Sequence, residues 1–232
     1  MARRIAIFLR HGEYRQQPHT PSAHQPFPLT PEGVDQAHKA ARLIEEMARN
    51  NDWDIHPVIQ SSNLLRGWQT AQIIGEKLNG TDRIDGVDAL AERGLGSAAN
   101  LTTSQIEDIL RDDPRFDAPP KDWKSNSHYR LPLQGAESLM QAGERVAEHV
   151  RDCMAEVSSA VNADRGTAVL FVGHGAAFRH AAHVLGALAF DDIAKLSMHH
   201  ATPVALEILT EGSWKHTAGA WKVRTPIDRN LD

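Results

Sequence analysis

Apolar positions along the chain follow two kinds of pattern. Ile5 to Leu9 (IAIFL) and Thr167 to Gly173 (TAVLFVG) are unbroken apolar runs too short for helices, the mark of strands buried on both faces of a parallel sheet. Elsewhere the spacing changes to three and four. Val34, Ala37, Ala41 and Ile44 recur at helical intervals behind Thr30-Pro31-Glu32, which reads as an N-cap, a proline at the first helical position and an early acid. A second helix is predicted over 61–78 (SSNLLRGWQTAQIIGEKL), with Leu64, Trp68, Ala71 and Leu78 on its apolar face. A long third one is predicted from Glu137 to about Val157, carrying Leu139, Val146, Val150 and Met154, and HGAAFRHAAHVLGAL predicts another from His174 onward. Pro57 to Gln60 and Pro203 to Leu209 read as further strands, the last with a hairpin partner near 213–219.

Strands alternating with helices and a closing hairpin predict an α/β fold, a three-layer α/β/α sandwich around a mostly parallel central sheet. Two stretches interrupt the alternation. Residues 14–30 (YRQQPHTPSAHQPFPLT) are rich in Pro, Gln and His and read as a loop beside the end of the first strand. Residues 97–134 show little periodicity and read as a cap-like insertion over the active-site edge of the sheet. With no internal repeat, 232 residues suit one domain over 1–232.

Composition matters mainly for what it excludes. The apolar and charged fractions, 41% and 24%, are those of an ordinary globular protein. A net charge of −5 provides no global basic field for nucleic acid or an anionic membrane, so any positive charge that matters must be local. The single Cys153 has no internal disulfide partner, which fits a reducing compartment. The start, MARRIAIFLRHGE, has only a short apolar run, and no segment reaches the roughly 18 apolar residues of a membrane span. The expected setting is cytoplasmic, without nucleic-acid or membrane partners.

Candidate chemistry begins with His11-Gly12 and His174-Gly175. With 13 His and 16 Gly, chance supplies roughly one such dipeptide, so the pair alone decides little. Both, however, follow a strongly apolar strand at its carboxyl end, where α/β sheets bind ligands. If those strands are parallel neighbours, His11 and His174 face one crevice. His174-Gly175 also opens a helix whose free N–H groups favour an anion. Arg10 and Arg66 add guanidinium forks that match phosphate oxygens, with a buried salt bridge as the ordinary alternative for Arg66. So much positive charge in one place would be costly without an anionic guest, and a phosphoryl group is the natural one. His180, His183, His199 and His200 have no accompanying Cys cluster or HExxH pattern, so no metal site is expected.

Four segments, LRHGE (9–13), SSNLLRGWQTA (61–71), LAERGLG (90–96) and VGHGAAFRH (172–180), together resemble the histidine phosphatase superfamily, the phosphoglycerate mutase-like fold, in the family's order. The resemblance implies that His11 is the nucleophile that forms a phosphohistidine and that Arg10 and Arg66 hold the phosphoryl oxygens. It further implies that His174, with Gly175 behind it, stabilises the transferring group, that Glu92 is the general acid and base, and that no cofactor is needed. General chemistry agrees with those roles. A histidine attacks through a neutral nitrogen, so its other nitrogen should donate to a local acceptor. Two arginines and a protonated His174 can stabilise an in-line phosphoryl transfer without a metal.

The expected activity is hydrolysis of a phosphate monoester, on a small-molecule ester or a phosphorylated protein; a homodimer is left open. Two alternatives stand beside it. One is a 2,3-bisphosphoglycerate-dependent phosphoglycerate mutase, which LAERGLG favours; Leu95 in place of a tyrosine, the lack of lysine in 97–105 and Ala176 in place of asparagine count against it. The other is a phospho-ligand binding protein without turnover. Glu13 and Tyr14 are expected at the rim, and Trp123, His128, Tyr129 and Arg130 are candidates for touching the leaving group.

Overall fold

The computed structural model describes residues 3–157 and 165–225. Its elements run β1 (Arg4–Arg10), α1 (Pro31–Asn50), β2 (Trp53–Ile55), β3 (Val58–Ser62), α2 (Leu65–Gly75), β4 (Arg83–Val87), α3 (Thr103–Asp112), α4 (Leu139–Glu156), β5 (Gly166–Gly173), α5 (Gly175–Val184), α6 (Phe190–Ile193), β6 (Leu196–Ser197), β7 (Pro203–Ile208), β8 (Trp214–Gly219) and β9 (Lys222–Val223). Because successive side chains of a strand point to opposite faces, β1 sends Ile5, Ile7 and Leu9 one way and Ala6 and Phe8 the other. Both sides are closed. Helices α1 and α2 cover the first face through Ala40, Ile44, Ala71 and Ile74; α4 and α5 cover the second through Val146, Val150, Ala177 and Phe178. This is the three-layer α/β/α sandwich.

The sheet order is β4-β3-β5-β1-β7-β8, with β2 alongside the start of β5. From β4 to β1 every pairing is parallel, whereas β7 and β8 are antiparallel additions. The register of β1 on β5 sets Arg10 opposite Gly173, so both strands end level at the same edge. Short β6 and β9 form a separate antiparallel pair. Helix starts follow the expected chemistry: the Thr30 hydroxyl accepts from the Gly33 amide, and Ser138 and Gln141 form a reciprocal capping box.

Two expectations need correction. The helix predicted over 61–78 is shorter, because Ser61 and Ser62 end β3 and the helix spans Leu65–Gly75. Its buried face is Arg66, Thr70, Ala71 and Ile74, while Leu64 and Trp68 are only half-buried. The stretch 97–134 is also more ordered than its weak periodicity suggests. It contains α3, opened by a Thr102/Gln105 capping box, and a small core in which Ile106, Leu110, Trp123 and Leu131 meet Ala23 of the loop 14–30. Among the described residues no helix is long and apolar enough to cross a membrane.

Candidate active site

Sheet order becomes site order along the carboxyl edge. Glu92 follows β4 and a short helical turn at 88–90; Ser62 ends β3, with Arg66 in the first turn of α2; His174 follows β5, and His11 follows β1. The His11 amide donates to the Gly173 carbonyl (2.9 Å), which extends the β1–β5 pairing by one residue. The two imidazoles then face each other with centroids 5.0 Å apart. The paired His-Gly motifs thus bring the two rings together, but His174 is fully buried, and neither it nor Arg66 is on the wall of the cavity that His11 lines.

His11 is 1% exposed. Its Nδ1 lies 2.7 Å from the Gly12 carbonyl oxygen, which can only accept, so Nδ1 carries the proton and Nε2 keeps its lone pair. Arg66 confirms that tautomer by donating Nε–H to His11 Nε2 (3.2 Å). The backbone after His11 is held from two sides. Gly12 N donates to Thr70 Oγ1 (3.0 Å), and a Cβ on Gly12 would lie 2.4 Å from the Gly33 carbonyl oxygen, so only glycine permits this approach to α1.

Arg66 is fully buried, and the salt bridge considered for it is not what holds it. Its Nη1 donates to Gln25 O (3.0 Å) and its Nη2 to Ala23 O (2.7 Å), while the Tyr14 ring faces the guanidinium at 4.5 Å. Arg66 therefore fastens the loop 14–30 over the site as well as orienting His11. Tyr14 is correspondingly not a rim residue. It is buried, stands edge-on to His11 at 5.3 Å, and has its hydroxyl on Ser22 Oγ (2.8 Å). Glu13 leads away from the site, accepting from the Thr30 hydroxyl at the start of α1.

His174 Nε2 pairs with Ser62 Oγ (2.9 Å), and its buried Nδ1 has no hydrogen-bond partner among the described residues. Arg10 Nη1 donates to Met198 O (3.0 Å), and its stem passes Gly175, where a Cβ would come within 3.2 Å of Arg10 Cδ. The first amides of α5 are not open to a phosphate as anticipated. Glu92 takes them: Oε1 accepts from Ala177 N (3.2 Å) and Arg93 N (2.9 Å), and Oε2 from Ala176 N (3.3 Å).

Arg10, His11, Glu92 and Gly175 share a cavity of about 380 Å³. The insertion contributes Asp122, Lys124, Ser125 and Ser127 to its wall, and Arg93, Arg179 and Arg224 line it as well. The four insertion residues expected to reach the leaving group lie elsewhere. Trp123 is buried with its indole N–H on Glu107 (3.0 Å), His128 stacks on Phe190, and Tyr129 and Arg130 are not on the cavity wall. His200, weighed in the sequence only as a metal ligand, lies with its ring 5.7 Å from that of His11, though off the cavity wall.

Burial, followed by Arg66, His174 and Arg10, holds His11 well below the ordinary imidazole value. Burial, Arg66 and Arg10 do the same to His174, which favours a neutral ring where a protonated one was expected. Bringing in an anion is what would favour the proton. Burial also pushes His180 down to about 4 and His200 to about 3.

These shifts fix the sign of the acid response. Below about pH 6.5 the unfolded chain protonates these histidines and the native one does not, so stability is full above that value and falls as pH drops. Each ring costs about 1.4 kcal/mol per pH unit across its window, which reaches down to about 4 for His180 and about 3 for His200. Thermal melts should shift markedly downward between about pH 7 and about pH 5. A melting temperature that stays level over that interval would show that these rings are not held neutral.

A sequence model of the histidine phosphatase superfamily (branch 1) matches residues 6–220. No curated protein matches. Among solved structures, mycobacterial glucosyl-3-phosphoglycerate phosphatase superposes with a TM-score of 0.71 at 21% identity, covering 96% of this chain and 100% of that one. A putative alpha-ribazole-5'-P phosphatase from Escherichia coli gives 0.67 at 16% identity, with 97% and 100% covered. Phosphoglycerate mutase from Bacillus anthracis gives 0.69 at 17% identity, with 94% and 92% covered. At such identities these likenesses speak for the fold.

Proposed function

The chain belongs to the histidine phosphatase superfamily, and from that premise we propose that it hydrolyses phosphate monoesters through a phosphohistidine on His11. The observation that carries the reading is the His11 tautomer. Nδ1 is committed to Gly12 O, and the nucleophilic Nε2 is directed at Arg66, the cation that would receive the phosphoryl oxygens. As the Nε2–P bond forms, the ester P–O bond breaks and the leaving oxygen takes a proton from Glu92. Water then attacks phosphorus, gives a proton back to Glu92, and inorganic phosphate departs as the N–P bond breaks. Arg10 and Arg66 balance the charge on the transferring group, and the orphan Nδ1 of His174 is a further donor once protonated.

A cavity of about 380 Å³ suits a small phosphate ester. In the same reading, residues 97–134 act as the cap of one catalytic domain that works in the cytoplasm. The mutase alternative retains one point, since Lys124 supplies the cavity with the lysine that 97–105 lacks. Products separate the two. Incubation of the protein with phosphate esters under exhaustive chelation should release inorganic phosphate at a rate within about twofold of the untreated rate, because loss of an essential metal would remove several kcal/mol of stabilisation. Interconversion of phosphoglycerates without phosphate release, or activity restored only by added metal, would refute the proposal.

A further inference from the structure

The peptide that joins Glu92 to Arg93 is held from both sides. Its N–H, on Arg93, donates to Glu92 Oε1 (2.9 Å), and its carbonyl oxygen, Glu92 O, lies 3.0 Å from His24 Nε2. A carbonyl oxygen can only accept, so His24 Nε2 carries the proton and donates it. Because a peptide unit is planar, the two bonds are not independent: turning the unit away from His24 also carries the Arg93 N–H away from the carboxylate.

The surroundings of Glu92 leave this task to His24. Arg145, from α4, donates Nη1–H to Ala89 O (2.8 Å) and Ala91 O (3.2 Å), and Glu137 Oε1 accepts from Gly94 N (2.8 Å) while it pairs with Arg145 Nη2. The backbone is thereby fixed on either side of residue 92. Glu92 O itself has no hydrogen bond among the described residues except the one from His24. Without that bond the 92–93 peptide would be free to swing between two clamps, and the grip of Arg93 N on the carboxylate would swing with it.

His24 is in turn mounted on Arg66. The carbonyls of both its neighbours, Ala23 O (2.7 Å) and Gln25 O (3.0 Å), accept from that guanidinium, whose Nε–H reaches His11. Buried Gln25 closes the loop on itself, donating Nε2–H to Pro21 O (3.0 Å) and accepting from Gln17 N (2.9 Å) at Oε1. The ring therefore stands on a fixed platform. Pro21, Ser22 and Ala23 line the cavity, whereas His24 is exposed and off its wall.

We infer that His24 is a positioning residue for Glu92: by holding the 92–93 peptide it holds the carboxylate, and because its loop hangs on Arg66 it sets the acid in register with the arginine beside the nucleophile. The inference rests on the proposed phosphatase reading for its catalytic consequence and deepens it by adding a residue that lies off the cavity wall. One chain of bonds runs from His11 through Arg66, the carbonyls flanking His24, the His24 ring and the 92–93 peptide to Glu92 Oε1.

Single-turnover phosphorylation by glycerol 2-phosphate and by 4-nitrophenyl phosphate tests it, in wild type, His24→Ala, His24→Gln and Glu92→Gln. Alanine removes the donor from an exposed position, and glutamine puts an amide N–H back where Nε2 stood. His24→Ala should slow the glycerol ester about tenfold, the scale of one lost hydrogen bond, and leave the nitrophenyl ester within about twofold, while His24→Gln should recover most of the loss. Equal losses on both esters, or no recovery with glutamine, overturn the inference, and a leaving-group split in Glu92→Gln then shows that the acid itself stands. Amide hydrogen exchange decides independently of turnover. In His24→Ala the amides of Arg93, Ala176 and Ala177, all bonded to the Glu92 carboxylate, should exchange at least about fivefold faster, with the Phe178 amide on His174 O unchanged and glutamine restoring protection. Unaltered exchange at those three amides overturns the inference even if no ester releases phosphate, whereas a Glu92→Gln variant without leaving-group preference defeats the acid assignment alone.

Discussion

His11→Ala is expected to lower turnover by about 10⁴-fold or more, the scale on which loss of a covalent nucleophile is felt, and to abolish capture of label from a phosphate ester. Gly12 O holds the His11 Nδ1 proton, and Nε2 is left with a lone pair whose one hydrogen bond among the described residues comes from the Arg66 Nε–H. His180, also on the cavity wall, likewise has its Nδ1 proton on a carbonyl, Ala176 O, but its Nε2 is taken by the Ser127 hydroxyl. The nearby rings of His174 and His200 are also kept neutral, but His174 is joined to Ser62 and His200 does not reach the cavity wall. Trapped phosphohistidine should survive alkali and vanish in acid. The variant removes a buried ring and leaves Arg66 Nε unanswered, so a thermal melt must accompany it; a cost of a few kcal/mol leaves the fold readable. Label on a serine or an aspartate in the wild type, or full labelling of the alanine variant, would defeat the proposed intermediate.

What the sequence disclosed and what it hid divide along a physical line. Strands β1 and β5 were legible because both faces are covered, so nothing interrupts their apolar runs, and their level ends placed His11 and His174 together. The start of α1 was legible because capping is local chemistry, written within four residues. The face of α2 was not, since its buried positions include Arg66 and Thr70, polar residues that a periodicity count assigns to solvent. Their burial depends on partners far away in the chain: Ala23 O, Gln25 O and the Gly12 amide. Carbonyls have no sequence signature, so neither the second duty of Arg66 nor the burial of Tyr14 could be anticipated.

The cap hid most. Its helix α3 is followed by a segment rich in Asp, Pro and Lys that dilutes the helical pattern, although Thr102 and Gln105 mark its start. Aromatic residues drew attention there, yet the wall of the cavity is built from Lys124 and small polar neighbours, while Trp123 turns inward beneath Arg93. Protonation was misjudged for a related reason. Charge near His174 was expected to come from its own ring, but full burial beside two guanidinium groups makes the proton unfavourable until an anion arrives.

Glu92→Gln should separate leaving groups. An alkyl phosphate expels a strongly basic alkoxide that must be protonated as it leaves, whereas a nitrophenyl phosphate expels an anion already stable near neutral pH. General acid catalysis is typically worth about 10²- to 10⁴-fold, and that loss should fall on phosphorylation of His11 by the alkyl ester. Labelling by nitrophenyl phosphate should be nearly preserved, with a burst of nitrophenol followed by slow hydrolysis, because water attack on the intermediate also needs Glu92 as base. The geometry sets a limit on how cleanly glutamine substitutes. Oε1 accepts from Arg93 and Ala177, and Oε2 only from Ala176, so an amide can keep the first two bonds and must give up the third. The associated structural cost is about 1 kcal/mol, which a thermal melt can register and which cannot by itself produce a loss of 10²-fold confined to one ester. Single-turnover phosphorylation by both esters, in wild type and variant, is the deciding measurement. Equal losses for the two leaving groups would mean that Glu92 serves only to anchor the first turn of α5 and shape the pocket, and would move the search for the acid to His174, whose unpartnered Nδ1 would then have to supply the proton.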